Sequence, residues 1–311
     1  MKLLRNWQHP QQLTPTVVTI GNFDGVHCGH RVMLQRLVEQ SHAEGLASVV
    51  MIFEPQPLEF FLKDKAPARI MSWREKVEVL RDCGLDYVFL ARFDQEFRSL
   101  TARAFIERLL VRQLNCRHLV IGDDFRFGCD RSGDFALLQQ AGQEFGFRVE
   151  QTPTVSLAED RVSSTRIRQA IHSGDFALAE HLLGRPFMIS GHVRHGDKIG
   201  RTLDFPTANL SLNRQVSPLA GIYAVKVHGL GEKPLLGAAN VGTRPAVNGR
   251  ENRIEVHILD FKGDIYGRRI GVEFCHKLRA ETNFPSLDAL KVAIANDVLA
   301  TRAYFQRVEH D

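Results

Sequence analysis

A glycine-rich segment directly after a short apolar run is the feature that most constrains the fold of this chain. Residues 17–20, Val-Val-Thr-Ile, have the character of a buried strand, and Gly-Asn-Phe-Asp-Gly-Val-His-Cys-Gly-His follows at residues 21–30. A strand that ends in a glycine-rich turn and continues into a helix exposes backbone N–H groups at the helix start, where they can bind phosphate. The segment therefore predicts a nucleotide-binding domain and an ATP-using enzyme.

The two histidines of this segment suit transfer of a nucleotidyl group. His27 and His30 are three residues apart at a helix start, so both rings can lie on the side of the exposed N–H groups. Donors already in place there would stabilise the charge that develops when a nucleophile attacks the α-phosphorus of ATP. Two other interpretations stay open: a tight turn with incidental histidines, and a zinc-binding pair, although no further ligand is evident nearby.

The first half of the sequence alternates short apolar runs with amphipathic stretches. Such alternation predicts a parallel sheet covered by helices on both faces, with ligands bound at the carboxyl ends of the strands. The predicted strands are residues 17–20, 48–53, 87–90 and 119–121, and the predicted helices are residues 30–41, 72–83, 101–112 and 135–145.

A second phosphate-binding candidate is Ser163-Ser164-Thr165-Arg166-Ile167-Arg168, which opens a helix predicted to end near residue 174. Alone, such a segment is more often a helix cap. Together with the first segment, its hydroxyls, N-terminal amides and guanidinium groups predict a site for the β- and γ-phosphates of ATP.

The character of the sequence changes after Gly184-Arg185-Pro186, where proline prevents simple continuation of the helix. Glycine-punctuated strand candidates follow, and they predict a small antiparallel barrel. These candidates are residues 188–193, 222–227, 235–241, 253–259 and 270–274. A last helix, capped by Ser286 and reaching about Arg307, is expected to pack against the barrel.

The barrel sequence carries a second set of phosphate-binding and catalytic candidates. The glycine-rich stretch 191–201 allows close backbone approach to phosphates, and in Phe205-Pro206-Thr207-Ala208-Asn209 the side chains of Thr207 and Asn209 should face one way. Two such oxygen ligands suit Mg²⁺, which shares substrate phosphates and keeps waters. The alternative is a plain turn.

Glu255 is the candidate general base of a kinase. In the strand 253–259, residues 254, 256 and 258 are apolar, whereas Glu255 and His257 share the other face. A carboxylate there could position an acceptor hydroxyl and accept its proton. A solvated strand face is the alternative.

Composition excludes several classes of function. A formal charge of +4 over 311 residues gives no case for a nucleic-acid partner. The five cysteines are scattered and never form a Cys-x-x-Cys pair, which favours a reducing cytoplasm. We find neither the apolar region of a signal peptide nor a bilayer-spanning stretch, and we expect no membrane role and a monomer or weak homo-oligomer.

These motifs together resemble the prokaryotic bifunctional riboflavin kinase and FAD synthetase family over nearly the whole chain. The resemblance implies an α/β nucleotidyltransferase domain at residues 1–185, Rossmann-like with a parallel sheet, and a small antiparallel β-barrel riboflavin kinase domain with a C-terminal helix at residues 186–311. It further implies ATP as co-substrate, Mg²⁺ as cofactor, and riboflavin, FMN and FAD as substrates and products.

The resemblance also implies site residues. For the adenylyltransferase, the catalytic residues would be Asn22, His27 and His30, and ATP would be bound by Gly21, Phe23, Asp24, Gly29, Ser164, Thr165, Arg166 and Arg168. Pro55, Pro57, Asp124 and Phe127 would border the flavin. For the kinase, Glu255 would be catalytic, and Thr207 and Asn209 would bind the metal. The flavin would be bound by Arg279 and Glu281. The residues that bind ATP would be Gly196, Lys198, Gly200, Arg201, Thr207 and Asn209.

Two positions depart from the family pattern. Asp204 stands where glycine is usual, and Ala246 where threonine is usual. Because Asp tolerates a left-handed backbone better than most residues, we expect an adjusted loop with kinase activity retained.

Two rival functions remain. One is an adenylyltransferase for a pantetheine or nicotinate compound, and the other is a flavin-binding regulatory module with decayed ATP sites. The set of Thr207 and Glu255 argues against the first, and phosphate-binding residues in both halves argue against the second.

Overall fold

A computed structural model describes residues 1–5, 7, 13–152, 156–157, 160–196, 205–212, 216–246 and 249–308 of the chain. The chain divides into two units: unit 1 is Met1–Pro67 with Trp73–Ser163, and unit 2 is Ala68–Ser72 with Ser164–Asp311. The boundary expected between residues 185 and 186 stays a prediction for the two catalytic domains.

Unit 1 is built on a parallel sheet, which confirms the class of fold predicted for it. Its strands are β1 (Lys2–Arg5), β2 (Thr16–Ile20), β3 (Ala47–Glu54), β4 (Tyr87–Arg92), β5 (Cys116–Gly122) and β6 (Arg148–Thr152). They lie in the order β1-β4-β3-β2-β5-β6, and each neighbouring pair is parallel. All residues of β2 are buried, as expected for a central strand covered on both faces. A short antiparallel pair, β7 (Ser156–Leu157) and β8 (Asp160–Arg161), lies outside the sheet.

The helices of unit 1 follow the predicted strand–helix alternation. They are α1 (Cys28–Glu44), α2 (Pro57–Leu62), α3 (Trp73–Arg81), α4 (Gln95–Arg98), α5 (Ala102–Phe105) and α6 (Phe135–Phe145), with a 3₁₀ turn at Lys63–Lys65. The helix predicted over residues 101–112 begins as α5 and continues as a π-helix at Ile106–Gln113. Among the helices that the structure describes, none is both long and apolar enough to cross a bilayer.

Unit 2 contains the predicted antiparallel barrel. Its strands are β9 (Met188–Arg194), β10 (Ala208–Ser211), β11 (Gly221–His228), β12 (Leu235–Ala246), β13 (Gly249–Ile258) and β14 (Arg269–Arg279). The barrel closes in the order β10-β13-β12-β11-β14-β9. β10 is too short to stand out in the sequence, yet it pairs with both β9 and β13 and so closes the barrel.

Within its described residues, unit 2 contains the helices α7 (Ser164–Ser173), α8 (Phe176–Leu183) and α9 (Leu287–Val308). Phe176 of α8 packs against the rings of Phe187, Tyr223 and Phe274 of the barrel. α9 packs on β11, β12 and β14, and the hydroxyl of Ser286 accepts a hydrogen bond from Ala289 N–H at 3.2 Å. The predicted final helix and its cap are therefore confirmed.

A two-pronged ion pair connects the end of β14 to α9. The guanidinium of Arg279 donates through Nε to Oδ1 of Asp297 at 2.8 Å and through Nη2 to Oδ2 at 2.7 Å. Asp297 is only 7% exposed, so its carboxylate depends on this partner for much of its stabilisation. Arg279 therefore has a structural partner in addition to the flavin contact predicted for it, and that contact stays a prediction.

We expect Asp297→Ala to destabilise unit 2 by about 2 kcal/mol, because the substitution removes two charge-assisted hydrogen bonds from a largely buried site. Asp260→Ala is the matched control, since Asp260 forms a 2.7 Å pair with Arg302 at an exposed position. An exposed pair contributes little, so the control should change the free energy of unfolding by less than about 0.5 kcal/mol. Urea unfolding of both variants would test this, and equal losses would contradict it.

Candidate active site

The loop between β2 and α1 brings the predicted nucleotide-binding residues to the carboxyl end of the central strand. Its backbone turns sharply, with positive φ angles of 45° at Phe23, 84° at Gly25 and 39° at Val26. Phe23 and Val26 adopt this strained conformation with their side chains buried. The packing of these two side chains in the core fixes the loop. Asp24 is likewise buried, at 1% exposure, whereas Asn22 is exposed.

His27 is the N-cap of α1. Its Nδ1 accepts a hydrogen bond from the backbone N–H of His30 at 3.3 Å, so the proton of the neutral ring is assigned to Nε2. The rings of His27 and His30 are stacked, with centroids 3.6 Å apart and an interplanar angle of 14°. The structure thus places the two predicted imidazoles together at the start of the helix.

Burial favours the neutral form of one ring of the stacked pair, that of His30. Burial, followed by the nearby His27 and Lys76, holds the pKa of His30 well below its usual value. Two unit charges about 4 Å apart would repel each other by about 4 kcal/mol near a protein surface, which also disfavours protonation of both rings. The pair can therefore offer N–H donors to a phosphate, and double protonation of the two rings is disfavoured.

Lys76 is a component of this region that the motif analysis missed. It lies on α3, is 2% exposed, and its ammonium group donates a hydrogen bond to the backbone carbonyl of Asn22. One signal in the sequence could have revealed it: Lys76 shares the apolar face of its helix with Trp73, Val77 and Leu80. A lysine at such a position is rarely buried without a specific partner.

The residues predicted to border the flavin follow β3 and β5, the two strands that flank the central strand β2. Pro55 directly follows β3, Pro57 is the first residue of α2, and Asp124 follows β5 in an exposed turn. Phe127 is 6% exposed and packs on Phe125, whose centroid is 5.5 Å away in a stacked arrangement. Because Phe127 is buried, it would support the more exposed ring of Phe125 from behind and have little direct contact with a flavin.

A group of aromatic rings lies at the ends of β3 and β4 and on the helices α2 and α4. The ring of Phe93 contacts the rings of Phe53, Phe60, Phe61 and Phe97 at centroid distances of 5.5–5.9 Å. Phe61 is 54% exposed, so this group presents an aromatic face to solvent. Such faces are suited to stacking on planar ring systems.

The segment Ser164–Arg168 forms the first turn of α7, as predicted. Arg168 donates through Nε to the backbone carbonyl of Ala68 at 2.6 Å, and both residues belong to unit 2. The predicted partnership of Ser164, Thr165, Arg166 and Arg168 with the loop of residues 21–30 stays a prediction.

In unit 2, strand register places three polar residues in a row across the barrel. Asn209 of β10 is paired with Glu255 of β13, and Glu255 is paired with Asn240 of β12. Paired residues of neighbouring strands project to the same face, so the three side chains are neighbours. Ile254 and Val256 are fully buried on the opposite face, as the alternation predicted. Within the described residues, the buried Oδ1 of Asn240 has no hydrogen-bond partner.

The glycine-rich stretch approaches this row at Gly196. A Cβ atom at Gly196 would lie 2.5 Å from the side-chain amide of Asn209, so only glycine fits there without a shift. Asn209 Nδ2 also donates to the carbonyl of Thr207 at 3.3 Å, and His257 Nδ1 donates to the carbonyl of Pro206 at 3.0 Å. These contacts fix the segment of residues 206–209. The other predicted nucleotide-binding residues of this stretch, Lys198, Gly200 and Arg201, and the departure at Asp204, lie outside the described residues.

Glu281 lies over the backbone of β12. A Cβ atom at Gly242 would be 2.5 Å from Oε1 of Glu281, and Gly242 is two residues beyond Asn240 on the same strand. The predicted flavin-side segment is therefore close to the row of polar residues. The strand β12 ends at Ala246, the second departure from the family pattern, whose side chain is outside the described part of the structure.

No group of three or more His, Cys, Asp or Glu side chains is arranged to hold a metal within the part of the chain that the structure describes. The alternative of a zinc site at His27 and His30 therefore has no third ligand of these types among those residues.

Comparison with known protein families assigns each half of the chain. Residues 9–166 match the FAD synthetase family model and residues 183–305 match the riboflavin kinase family model. The chain is 54% identical over 307 residues to the bifunctional riboflavin kinase/FMN adenylyltransferase of Escherichia coli K12, with 98% of both chains covered. The Haemophilus influenzae protein of the same name is 47% identical over 306 residues, covering 98% of this chain and 99% of the relative.

Among solved structures, the chain is similar to a crystal structure named macrolide-efflux protein from Streptococcus pneumoniae. The TM-score is 0.76 and the sequence identity 32%, with 96% of this chain and 98% of the other covered. The shared architecture therefore extends over both units.

A nucleotidyltransferase sheet followed by a riboflavin kinase barrel defines an ATP-dependent transferase of flavin cofactor synthesis. More narrowly, the chain belongs to the bifunctional riboflavin kinase/FMN adenylyltransferase family. It phosphorylates riboflavin to FMN with ATP and adenylylates FMN to FAD with release of pyrophosphate. The family assignment favours these reactions over the rival functions considered from the sequence.

We expect Gly196→Ala to lower riboflavin phosphorylation by about tenfold or more, because the new methyl group would displace the amide of Asn209. FMN adenylylation by the same protein should not change. Gly231→Ala is the matched control, since the nearest atom to its added Cβ would be 4.0 Å away. Separate assays of FMN and FAD formation would test this, and unaltered kinase activity in Gly196→Ala would contradict it.

Proposed function

We propose that the row Asn209–Glu255–Asn240, with Thr207, is the riboflavin kinase site, and that the loop of residues 21–30 is the core of the adenylyltransferase site. The observation that carries the kinase assignment is the pairing of Glu255 with Asn209 across neighbouring strands. It sets a carboxylate beside an amide on the face of the strand opposite the barrel core, next to the glycine-rich stretch at Gly196.

In the kinase reaction, Glu255 accepts the proton of the ribityl 5′-hydroxyl of riboflavin. The hydroxyl oxygen then forms a bond to the γ-phosphorus of ATP while the bond from that phosphorus to the β–γ bridging oxygen breaks, and ADP leaves. Little covalent chemistry is required of the protein, so positioning of the hydroxyl in line with the leaving group supplies much of the rate.

The residues at this site fit a hard divalent cation. The hydroxyl of Thr207, the amide oxygen of Asn209 and the substrate phosphates are the oxygen ligands that Mg²⁺ prefers. The hydrogen bond from Asn209 Nδ2 to the Thr207 carbonyl supports the assignment, because it orients the amide with Oδ1 as its acceptor atom. When bound, Mg²⁺ would neutralise charge that develops on the transferring phosphate.

In the adenylyltransferase reaction, a phosphate oxygen of FMN attacks the α-phosphorus of ATP. The bond between that phosphorus and the α–β bridging oxygen breaks, and pyrophosphate leaves without a covalent enzyme intermediate. Nε2–H of His27 and the backbone N–H groups at the start of α1 would donate hydrogen bonds to the α-phosphate as its charge increases. Asn22, His30 and the turn residues Gly21, Phe23, Asp24 and Gly29 would shape this site.

We further propose that the remaining predicted residues complete the two sites. Ser164, Thr165, Arg166 and Arg168 would bind the departing pyrophosphate, and Pro55, Pro57, Asp124 and Phe127 would line the flavin side. Gly196, Lys198, Gly200 and Arg201 would contact the phosphates of ATP in the kinase, and Arg279 and Glu281 its flavin. The catalytic domains would be residues 1–185 and 186–311.

We expect the enzyme to act in the cytoplasm as a monomer or weak homo-oligomer, with small-molecule partners and no nucleic acid or membrane. Five free cysteines support a reducing compartment.

Glu255→Gln should abolish riboflavin phosphorylation, with a loss of about 100-fold or more, because an amide cannot accept the hydroxyl proton. The same protein should still convert supplied FMN to FAD. Chromatography of flavin products from riboflavin and from FMN would separate the two steps. Glu232→Gln, at an exposed carboxylate of the same unit, is the control and should leave both activities intact. Loss of both activities in Glu255→Gln would refute separate sites.

His27→Ala should block FAD formation and cause FMN to accumulate, with about a 100-fold loss in FMN adenylylation, because it removes a donor to the α-phosphate. Since His27 is also the N-cap of α1, the substitution alone could act through helix stability. His27→Asn restores a good cap without the imidazole. Recovery of adenylylation in His27→Asn would show that the cap, and not the ring, is what matters.

A further inference from the structure

We propose that Lys76 is a positioning residue for adenylyl transfer: its buried ammonium group fixes the Asn22 carbonyl in the phosphate-binding loop and supplies a permanent positive charge to a site whose histidine rings act as neutral donors. The inference deepens the proposed function, since it rests on His27 and His30 being part of the adenylyltransferase site.

The position of Lys76 carries the first step of the argument. The side chain is 2% exposed, although lysine is among the residues least often buried, and it extends from α3 to the loop that follows β2. Burial of an ammonium group disfavours its charged form unless polar partners compensate. One such partner is the carbonyl of Asn22, and the residue takes part in further interactions.

The second step follows from the geometry of the histidine pair. The rings of His27 and His30 are stacked at 3.6 Å, and Nδ1 of His27 is already an acceptor for the backbone N–H of His30. A protonated pair would break that hydrogen bond and place two like charges in contact. The two rings therefore cannot both be charged, and Lys76 is a cation whose hydrogen bond to the Asn22 carbonyl connects it directly to the loop.

Ionisable groups on two helices, α1 and α3, affect the pKa of His30. His27 comes from the same end of α1, and Lys76 comes from α3; together with burial, both lower the pKa of His30. The ring of Phe23 covers His30 from the loop at a centroid distance of 4.9 Å, and the buried Asp24 lies in the same loop. Removal of the Lys76 charge should therefore raise the pKa of His30.

Three substitutions separate the possible roles of Lys76. Lys76→Met keeps much of the apolar stem and loses both donor and charge, Lys76→Gln keeps a donor and loses the charge, and Lys76→Arg keeps the charge. We expect kcat/KM for FMN adenylylation to fall on the order of 10-fold to 100-fold in the Met and Gln variants. Riboflavin phosphorylation by the same full-length proteins should stay unchanged, because the barrel belongs to unit 2. Urea unfolding of each variant tests whether unit 1 remains folded.

The pH dependence of kcat/KM provides a readout that a purely structural role would not move. Activity should require neutral His30, so the acidic limb of the wild-type profile lies well below the ordinary histidine pKa. In the Met and Gln variants this limb should move to higher pH, because a charge that lowers the pKa of His30 has been removed, and in the Arg variant it should stay in place. Titration of the substrate phosphates is common to all variants and cancels in the comparison.

The His30 imidazole can also be titrated by NMR in the full-length protein, independently of activity. Its pKa should rise in Lys76→Gln and not in Lys76→Arg. An unchanged acidic limb together with an unchanged imidazole titration in the Gln and Met variants would overturn the proposal. So would equal losses of adenylylation in the Arg and Gln variants.

Failure of the underlying functional assignment would give a different pattern. If His27→Ala and His27→Asn both retain full FMN adenylylation, the loop is not the reaction site and both proposals fail. If those variants lose adenylylation while the Lys76 variants keep it, only the role of Lys76 is wrong.

Discussion

A shift of β13 by one residue against β10 and β12 would turn Glu255 toward the barrel core and Ile254 toward the other face, because successive side chains of a strand alternate in direction. The fully buried Ile254 and Val256 prevent that shift, since it would expose their apolar side chains and bury a carboxylate. The packing that holds the barrel closed is thus also what aligns Asn209, Glu255 and Asn240. In this unit, the apolar side chains on one face of β13 stabilise the barrel core. The same packing fixes the position of Glu255 on the opposite face of the strand.

The parts of the fold that could be predicted from the sequence are those with a strong local pattern. The apolar runs became β2 to β5, and the glycine-punctuated runs became the long strands of the barrel. β1 and β6 were missed because their residues are largely polar or exposed, so that pairing with a neighbour, and not their own composition, makes them strands. The π-helical turns of residues 106–113 were missed because the side-chain pattern there also fits an α-helix.

The candidate sites likewise contain residues that a local motif reveals and residues that only the folded chain brings together. The loop of residues 21–30 and the segment of residues 205–209 are contiguous, so the motif itself reveals them. Lys76 and Asn240 are distant in sequence from the residues they adjoin, and only the folded chain brings them there. The close approach of Gly196 to Asn209 is likewise a tertiary contact that residue spacing does not encode.

The two units present their proposed phosphate-binding groups with different geometries. In unit 1 these groups are backbone N–H groups and two imidazole rings at the start of a helix, next to a buried lysine. In unit 2 the polar side chains stand on neighbouring strands, where cross-strand pairing sets their spacing. The first arrangement depends on a strained loop, and the second on the regular ladder of a barrel. Substitutions that loosen one need not affect the other.

The two edge strands of the parallel sheet affect the tendency of the protein to aggregate at high concentration. A barrel has no free edge, whereas the sheet of unit 1 ends at β1 on one side and β6 on the other. Both strands carry exposed charges: Lys2 and Arg5 on the first, Arg148 and Glu150 on the second. Charged side chains on an edge strand oppose pairing with the edge of another molecule. These residues should therefore reduce aggregation through strand addition.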